Sequence, residues 1–76
     1  MNVRHHMALA LADTRYKYPG ARDEAIRHQL GMSTTQWAQV LDVLIDTAEA
    51  EAAYPMLVKR LRRLREARGA VRALGA

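Results

Sequence analysis

The sequence predicts an all-α fold: a small four-helix domain spanning residues 1–76. Three observations predict it. Apolar residues recur at spacings of three and four along the whole chain, with no run of period two. Only four Gly and two Pro punctuate the 76 residues, and the intervals between them are of helical length. Half of the residues are apolar and 26% charged, a balance outside that of disordered chains. A chain this short has room for one core at most, which excludes a multi-domain enzyme. Such a core rarely supplies more than about 3–5 kcal/mol unaided, and without cysteine there is neither disulfide nor thiolate metal site to add to it. A partner subunit is therefore considered from the outset.

The first helix is expected over about Val3 to Tyr16, with Val3, Met7, Leu11, Thr14 and Tyr18 on one stripe. Tyr18-Pro19-Gly20 ends it, because the residue before proline is pushed out of the α region. A short second helix runs from about Ala21 to Leu30 and buries Ala25, Ile26 and Leu30. Asp23 and Glu24 lie in its first turn, where the helix dipole favours negative charge, and Gly31 terminates it. Ser33 opens the third helix, since Ser33 and Gln36 have the spacing of a capping box; Trp37, Val40, Leu41, Leu44 and Ile45 form its apolar face. Thr47 to Tyr54 is either a helical turn or a compact linker. Pro55 then suits the first position of a basic C-terminal helix over 55–68, with Leu57, Leu61 and Leu64 continuing towards Val71 and Leu74. Gly69 either ends that helix or weakens it by about 1 kcal/mol, and 69–76 is expected to be a short tail.

Taken together, Arg22 to Asp46 have the size and punctuation of a helix-turn-helix, the two-helix unit whose second helix enters the major groove of DNA. Ile26 and Leu30 before Gly31, and Met32, Trp37 and Val40 after it, are apolar where such a unit needs them. Arg27 departs from the pattern, standing where a small residue is usual. Bland packing of a three-helix bundle explains the same positions.

The segments Tyr18-Pro19-Gly20-Ala21-Arg22, Ala25-Ile26-Arg27, Leu30-Gly31-Met32-Ser33, Leu44-Ile45-Asp46 and Pro55 to Arg65 resemble a family of short actinobacterial proteins of unknown function, also carried by phages of those bacteria. The resemblance covers most of residues 16 to 68. It implies a helix-turn-helix related in style to the DNA-reading parts of sigma factors and small repressors, and no settled role. Where members tend to carry a basic residue followed by two aromatics, this chain reads Gln36-Trp37-Ala38.

Candidate base contacts are Thr34, Thr35, Gln36 and Gln39, on the early polar face of the third helix, glutamine being able to pair bidentately with adenine. An ordinary solvated face accounts for the same residues. The helix has no Lys or Arg, and Asp42 and Asp46 oppose phosphate, so only its first two turns can approach DNA. Charge is strongly divided: residues 1–54 hold five Lys+Arg and seven Asp+Glu, net −2, whereas 55–76 hold seven and one, net +6. Lys59, Arg60, Arg62, Arg63, Arg65, Arg68 and Arg72 surround the leucine stripe. Candidate phosphate contacts are Arg22, Arg27, Ser33, Lys59, Arg60, Arg62 and Arg63, and the basic helix suits DNA or RNA or an acidic protein partner. An apolar face of leucines without Trp or Phe argues against an anionic membrane.

The sequence thus points to a small DNA-binding regulator with double-stranded DNA as partner. The alternative is a protein-interaction module docking through its basic helix on transcription machinery or a host protein. Leu57, Leu61, Leu64 and Val71 offer a seam for a homodimer, although core packing explains the same leucines. His5, His6 and His28 lack metal-ligand spacing, no nucleophile–base–acid set or phosphate loop is present, and no cofactor is implied. Trp37 falls on the core stripe. The longest early apolar stretch, Met7 to Ala12, is six residues against the about 20 of a membrane span, so a cytoplasmic protein is expected, nucleoid-associated if DNA-bound.

Overall fold

The structure, a computed structural model, describes the backbone of residues 1–75 and the side chains of residues 1–69. Among the described residues five helices follow in order: α1 (Val3–Asp13), α2 (Ala21–Leu30), α3 (Thr34–Leu44), α4 (Ala48–Ala53) and α5 (Pro55–Gly75). The fold is all-α, with no strand among the described residues. α1 packs on α2, α3 and α5, α2 on α3, and α4 on α5.

Local chemistry sets most of the boundaries. Asn2 caps α1: its Oδ1 accepts from the His5 amide at 2.9 Å, and the Asn2 amide donates back to His5 Nδ1 at 3.4 Å, with histidine in the place usually held by Glu or Gln. The helix stops at Asp13, before the expected Tyr16, because Thr14 turns extended and its hydroxyl donates to the Ala10 carbonyl at 2.8 Å. The buried arc of α1 is also rotated from the predicted stripe. Ala8, Leu9 and Leu11 are buried, Met7 is half-buried, Val3 is 74% exposed, and Thr14 and Tyr18 fall outside the helix. The cause is that α1 touches three helices at once, so the arc it covers is wider and differently centred than a stripe drawn for one partner.

α2 and α3 begin and end close to where their caps predict. Gly31 adopts φ +65° and its amide bonds the Arg27 carbonyl at 3.0 Å, the left-handed end that glycine takes without strain. Ser33 and Gln36 complete the reciprocal capping box at 3.1 and 2.9 Å. The linker alternative at 47–54 resolves into a helix: Thr47 Oγ1 accepts from the Ala50 amide at 3.2 Å, and Ala50 is wholly buried. Among the described residues there are therefore five helices and not four. Six residues are too few to hold a helix in water, so burial and the cap sustain it.

Pro55 is the first residue of α5, and the helix passes through Gly69 to Gly75, so the expected tail at 69–76 is helical over its described backbone. One glycine costs about 1 kcal/mol, which the surrounding Arg, Ala and Leu outweigh. Val71, Arg72 and Leu74, expected to continue the apolar and basic faces, lie outside the described side chains. The core gathers Leu9, Ile26, Ile45 and Val58, fully buried, with Leu30, Leu41, Leu44 and Leu57 around them. Trp37 is 6% exposed, and its indole N–H donates to the Ala8 carbonyl at 3.1 Å, which satisfies the polar edge of a buried ring.

Candidate nucleic-acid interface

α3 exposes one strip along its length. Thr35, Gln36, Gln39, Val43 and Asp46 are exposed, while Trp37, Leu41, Leu44 and Ile45 beside or after it are buried. Two of the four candidate base contacts are engaged elsewhere. Thr34 is half-buried, its hydroxyl donating to Asp23 Oδ1 at 2.9 Å across the turn, which ties α3 to α2. Gln36 holds the Ser33 amide with its Oε1, and Ser33 answers with Oγ, so both belong to the cap. Thr35 and Gln39 have no side-chain partner among the described residues.

On α2, Arg27 is exposed in the last turn. Arg22 lies with its guanidinium carbon 5.2 Å from the centroid of the Trp37 ring, and its Nε is 3.9 Å from Asp23, a loose contact that leaves it half-exposed. Stacking on the indole holds the cation at a fixed height above the α2–α3 junction.

The described cations of α5 divide into two groups. One faces inward to helix ends. Arg62 Nε donates to the Ile45 carbonyl at 2.9 Å and Arg65 to the Asp42 carbonyl at 3.2 Å, both in the last turn of α3 or at its end. Arg60 reaches the Ala12 carbonyl of α1 at 3.3 Å, and Arg4, from α1, takes the Leu30 carbonyl of α2 at 2.6 Å. Each of α1, α2 and α3 thus ends against an arginine from another part of the chain, where a cation meets both unpaired carbonyls and the negative end of the helix dipole.

Arg62 and Arg65 also pair with carboxylates, and Arg68 joins them. Arg65 forks onto both oxygens of Asp46 at 3.1 and 2.9 Å, Arg68 is 3.8 Å from Asp42, and Arg62 is 3.7 Å from Glu51. The hydrogen bond from Arg65 outweighs desolvation and holds the Asp46 carboxyl below its ordinary value, with the charges of Arg65 and Arg62 adding to the effect. Asp42 and Asp46, which the sequence places against phosphate, each face a cation of α5, Asp46 through a two-point fork and Asp42 more loosely. The second group, Lys59 and Arg63, one turn apart on the outer face of α5, has no partner among the described residues.

The predicted phosphate contacts therefore separate. Arg22, Arg27, Lys59 and Arg63 remain presented to solvent, whereas Ser33, Arg60 and Arg62 hold the fold together. The residues missed from sequence are Val43, 69% exposed in the strip beyond Gln39, and Arg4, a helix end-stop. The i, i+3, i+6 spacing of Arg62, Arg65 and Arg68 against Asp42 and Asp46 at i, i+4 was the available signal for the inter-helix pairing.

A family model described as Protein of unknown function (DUF3263) matches residues 1–73. The chain belongs to that family. The DUF3263 match takes in α1 to α4 and nearly all of α5, so it extends well beyond the segments at 16–68 that carry the resemblance in sequence. No curated protein and no solved structure matches the chain. Among the described residues, no three of His, Cys, Asp and Glu gather as a metal site, and no helix is long and apolar enough to cross a membrane.

Proposed function

We propose that this DUF3263 protein is a small helix-turn-helix DNA-binding regulator, in which α3 enters the major groove and exposed cations on α2 and α5 hold the backbone. The observation that carries the reading is the α2–turn–α3 unit: a left-handed Gly31, a reciprocally capped α3, and an exposed strip bearing Thr35 and Gln39. Such a unit presents the first turns of its second helix to base edges. Pairing of Asp42 and Asp46 with α5 supports it further, since it removes much of the repulsion that two acidic residues on α3 would present to phosphate.

In this reading Gln39 and Thr35 read bases, Val43 offers methyls to a thymine methyl, and Ser33 and Gln36 act through the helix cap. Arg22, Arg27, Lys59 and Arg63 contact phosphates. The source in actinobacteria or their phages and a place on the nucleoid go with this proposal. Selection of bound duplexes from a random pool tests it. The native protein should enrich one motif, and Thr35→Ala with Gln39→Ala should blur that motif while retaining binding; enrichment of no motif by the native protein removes the regulator reading.

A second reading, a protein-interaction module, is favoured by the engagement of Arg60, Arg62, Arg65 and Arg68 within the domain and by an α3 without Lys or Arg. There α2–α3 serves only as scaffold, and the outer face of α5 meets an acidic surface.

A further inference from the structure

A groove of about 780 Å³ runs between α3 and α5. Its floor is apolar: Trp37, Ala38 and Leu41 come from α3, and Leu61, Leu64 and Ala67 from α5. Trp37 and Leu41 are buried, but Leu64 is 54% exposed and Ala67 is exposed, so the α5 wall is an apolar surface facing water. The lining on α3 extends from Thr34 to Ile45, which at 1.5 Å per residue is about 16 Å, the length of three helical turns. Alanines at 38 and 67 leave the space that large side chains of an incoming helix would fill. Helix-in-groove recognition needs this form: an apolar trough into which residues at i, i+3, i+4 and i+7 insert.

Charge on the rim selects the occupant. Arg22 and Arg68 both line the rim, about half or more exposed, and their carboxylate neighbours Asp23 and Asp42 lie 3.9 and 3.8 Å away, beyond hydrogen-bond distance, so among the lining residues two cations stand against one carboxylate, Asp42. A second copy of this chain would have to bring its own long helix, and α5 carries Lys59, Arg60, Arg62, Arg63, Arg65 and Arg68, which places cation against cation. Among the described residues no other segment covers the groove, and 70–75 continue as helix. Nucleic acid has no use for a leucine-lined floor. We infer that the α3–α5 groove is a docking site for an acidic amphipathic helix of a partner protein, with apolar residues seated between Trp37 and Leu64 and carboxylates meeting Arg22 and Arg68. This surface lies apart from the exposed strip of α3, shares only Arg22 with the proposed DNA contacts, and stands whether or not that strip binds DNA.

The probe is a fluorescein-labelled peptide of about 18 residues, five turns of helix, with leucines at i, i+3, i+4 and i+7 and glutamates on both flanks. One control disperses the same leucines around the helix, and another replaces Glu by Lys. Anisotropy measures binding, and emission of Trp37, the single tryptophan, reports whether the groove is the site. The expected result is saturable binding at least about tenfold tighter than either control, with a shift in Trp37 emission, and loss of about tenfold or more with Leu64→Glu. Leu64 is exposed enough for that variant to fold. Ala67→Glu, at an equally open position, repeats the test if it does not. Equal binding of the dispersed peptide, preference for the lysine peptide, no binding, or indifference to both variants overturns the inference. So does self-association of the protein that Leu64→Glu abolishes in the absence of peptide binding, which would assign the groove to a second copy.

Discussion

Replacing glycine by alanine should have opposite effects at two places in this chain. At Gly31 the backbone lies at φ +65°, and a Cβ added there would meet nothing within 4 Å, so the cost is conformational and not steric. Holding an L-residue in the left-handed region costs about 1–2 kcal/mol. Alanine returns roughly 0.4–1 kcal/mol of this by narrowing the unfolded ensemble, which leaves a net loss of about 1 kcal/mol. For a domain of this size that is a fall in Tm of about 4–8 °C. Gly31→Asn should lose about half as much, since asparagine tolerates the left-handed region better. Gly69 lies inside α5 with nothing within 4 Å of its would-be Cβ, so Gly69→Ala should gain up to about 1 kcal/mol. Thermal unfolding followed by far-UV circular dichroism and by Trp37 fluorescence measures all three. A neutral Gly31→Ala, or the same sign at both positions, would refute the reasoning that the turn before α3 depends on left-handed backbone.

Arg62→Ala should cost about 1–2 kcal/mol by exposing the end of α3 and the Ile45 carbonyl, whereas Lys59→Ala should stay within about 0.5 kcal/mol; chemical denaturation of the two compares them. Trp37→Phe removes the indole donor to the Ala8 carbonyl, which stays within the hydrogen bonding of α1, and should lose about 0.5–1.5 kcal/mol in the same assay. The Asp46 carboxyl is depressed below 3.8 in the folded state, so its contribution is present above that value and disappears as pH falls through the lower, folded one. Stability measured between about pH 5 and 2 should therefore decline less steeply in Asp46→Asn than in the native chain. In DNA binding, Lys59→Ala with Arg63→Ala should weaken all sequences alike and lower the salt slope by about 2, and Arg65→Ala should act on stability with little change in that slope.

The sequence makes legible what neighbours along the chain decide. The Ser33–Gln36 box, the end of α2 at Gly31 and the start of α5 at Pro55 are each set within four residues, and each is found where it is read. What depends on packing is not legible in this way. The face of α1 is chosen by three partners, α4 persists because Ala50 is buried, and α5 continues past Gly69 because one weak residue does not end a long helix. The candidate site divides along the same line. Thr35 and Gln39 are exposed as their spacing requires, but the engagement of Thr34 by Asp23, and of Arg60, Arg62 and Arg65 by helix ends, comes from residues 11 to 48 positions away. A count of basic residues alone overstates the charge available to a partner, since three of the six described cations of α5, Arg60, Arg62 and Arg65, are hydrogen-bonded within the fold, while Arg68 is only loosely paired.

Titration of the protein into duplex DNA, comparing random sequence with fragments around its own gene at about 50 and 200 mM salt, tests the proposal of a DNA-binding regulator most directly. Four cations, Arg22, Arg27, Lys59 and Arg63, acting on phosphates give a slope near −3.6 and hence a loss of affinity of about a hundredfold between the two salt concentrations. The account predicts that loss together with a preferred fragment. Absence of binding at the lower salt, or binding indifferent to salt, would contradict it and leave the apolar groove between α3 and α5 as the principal functional surface.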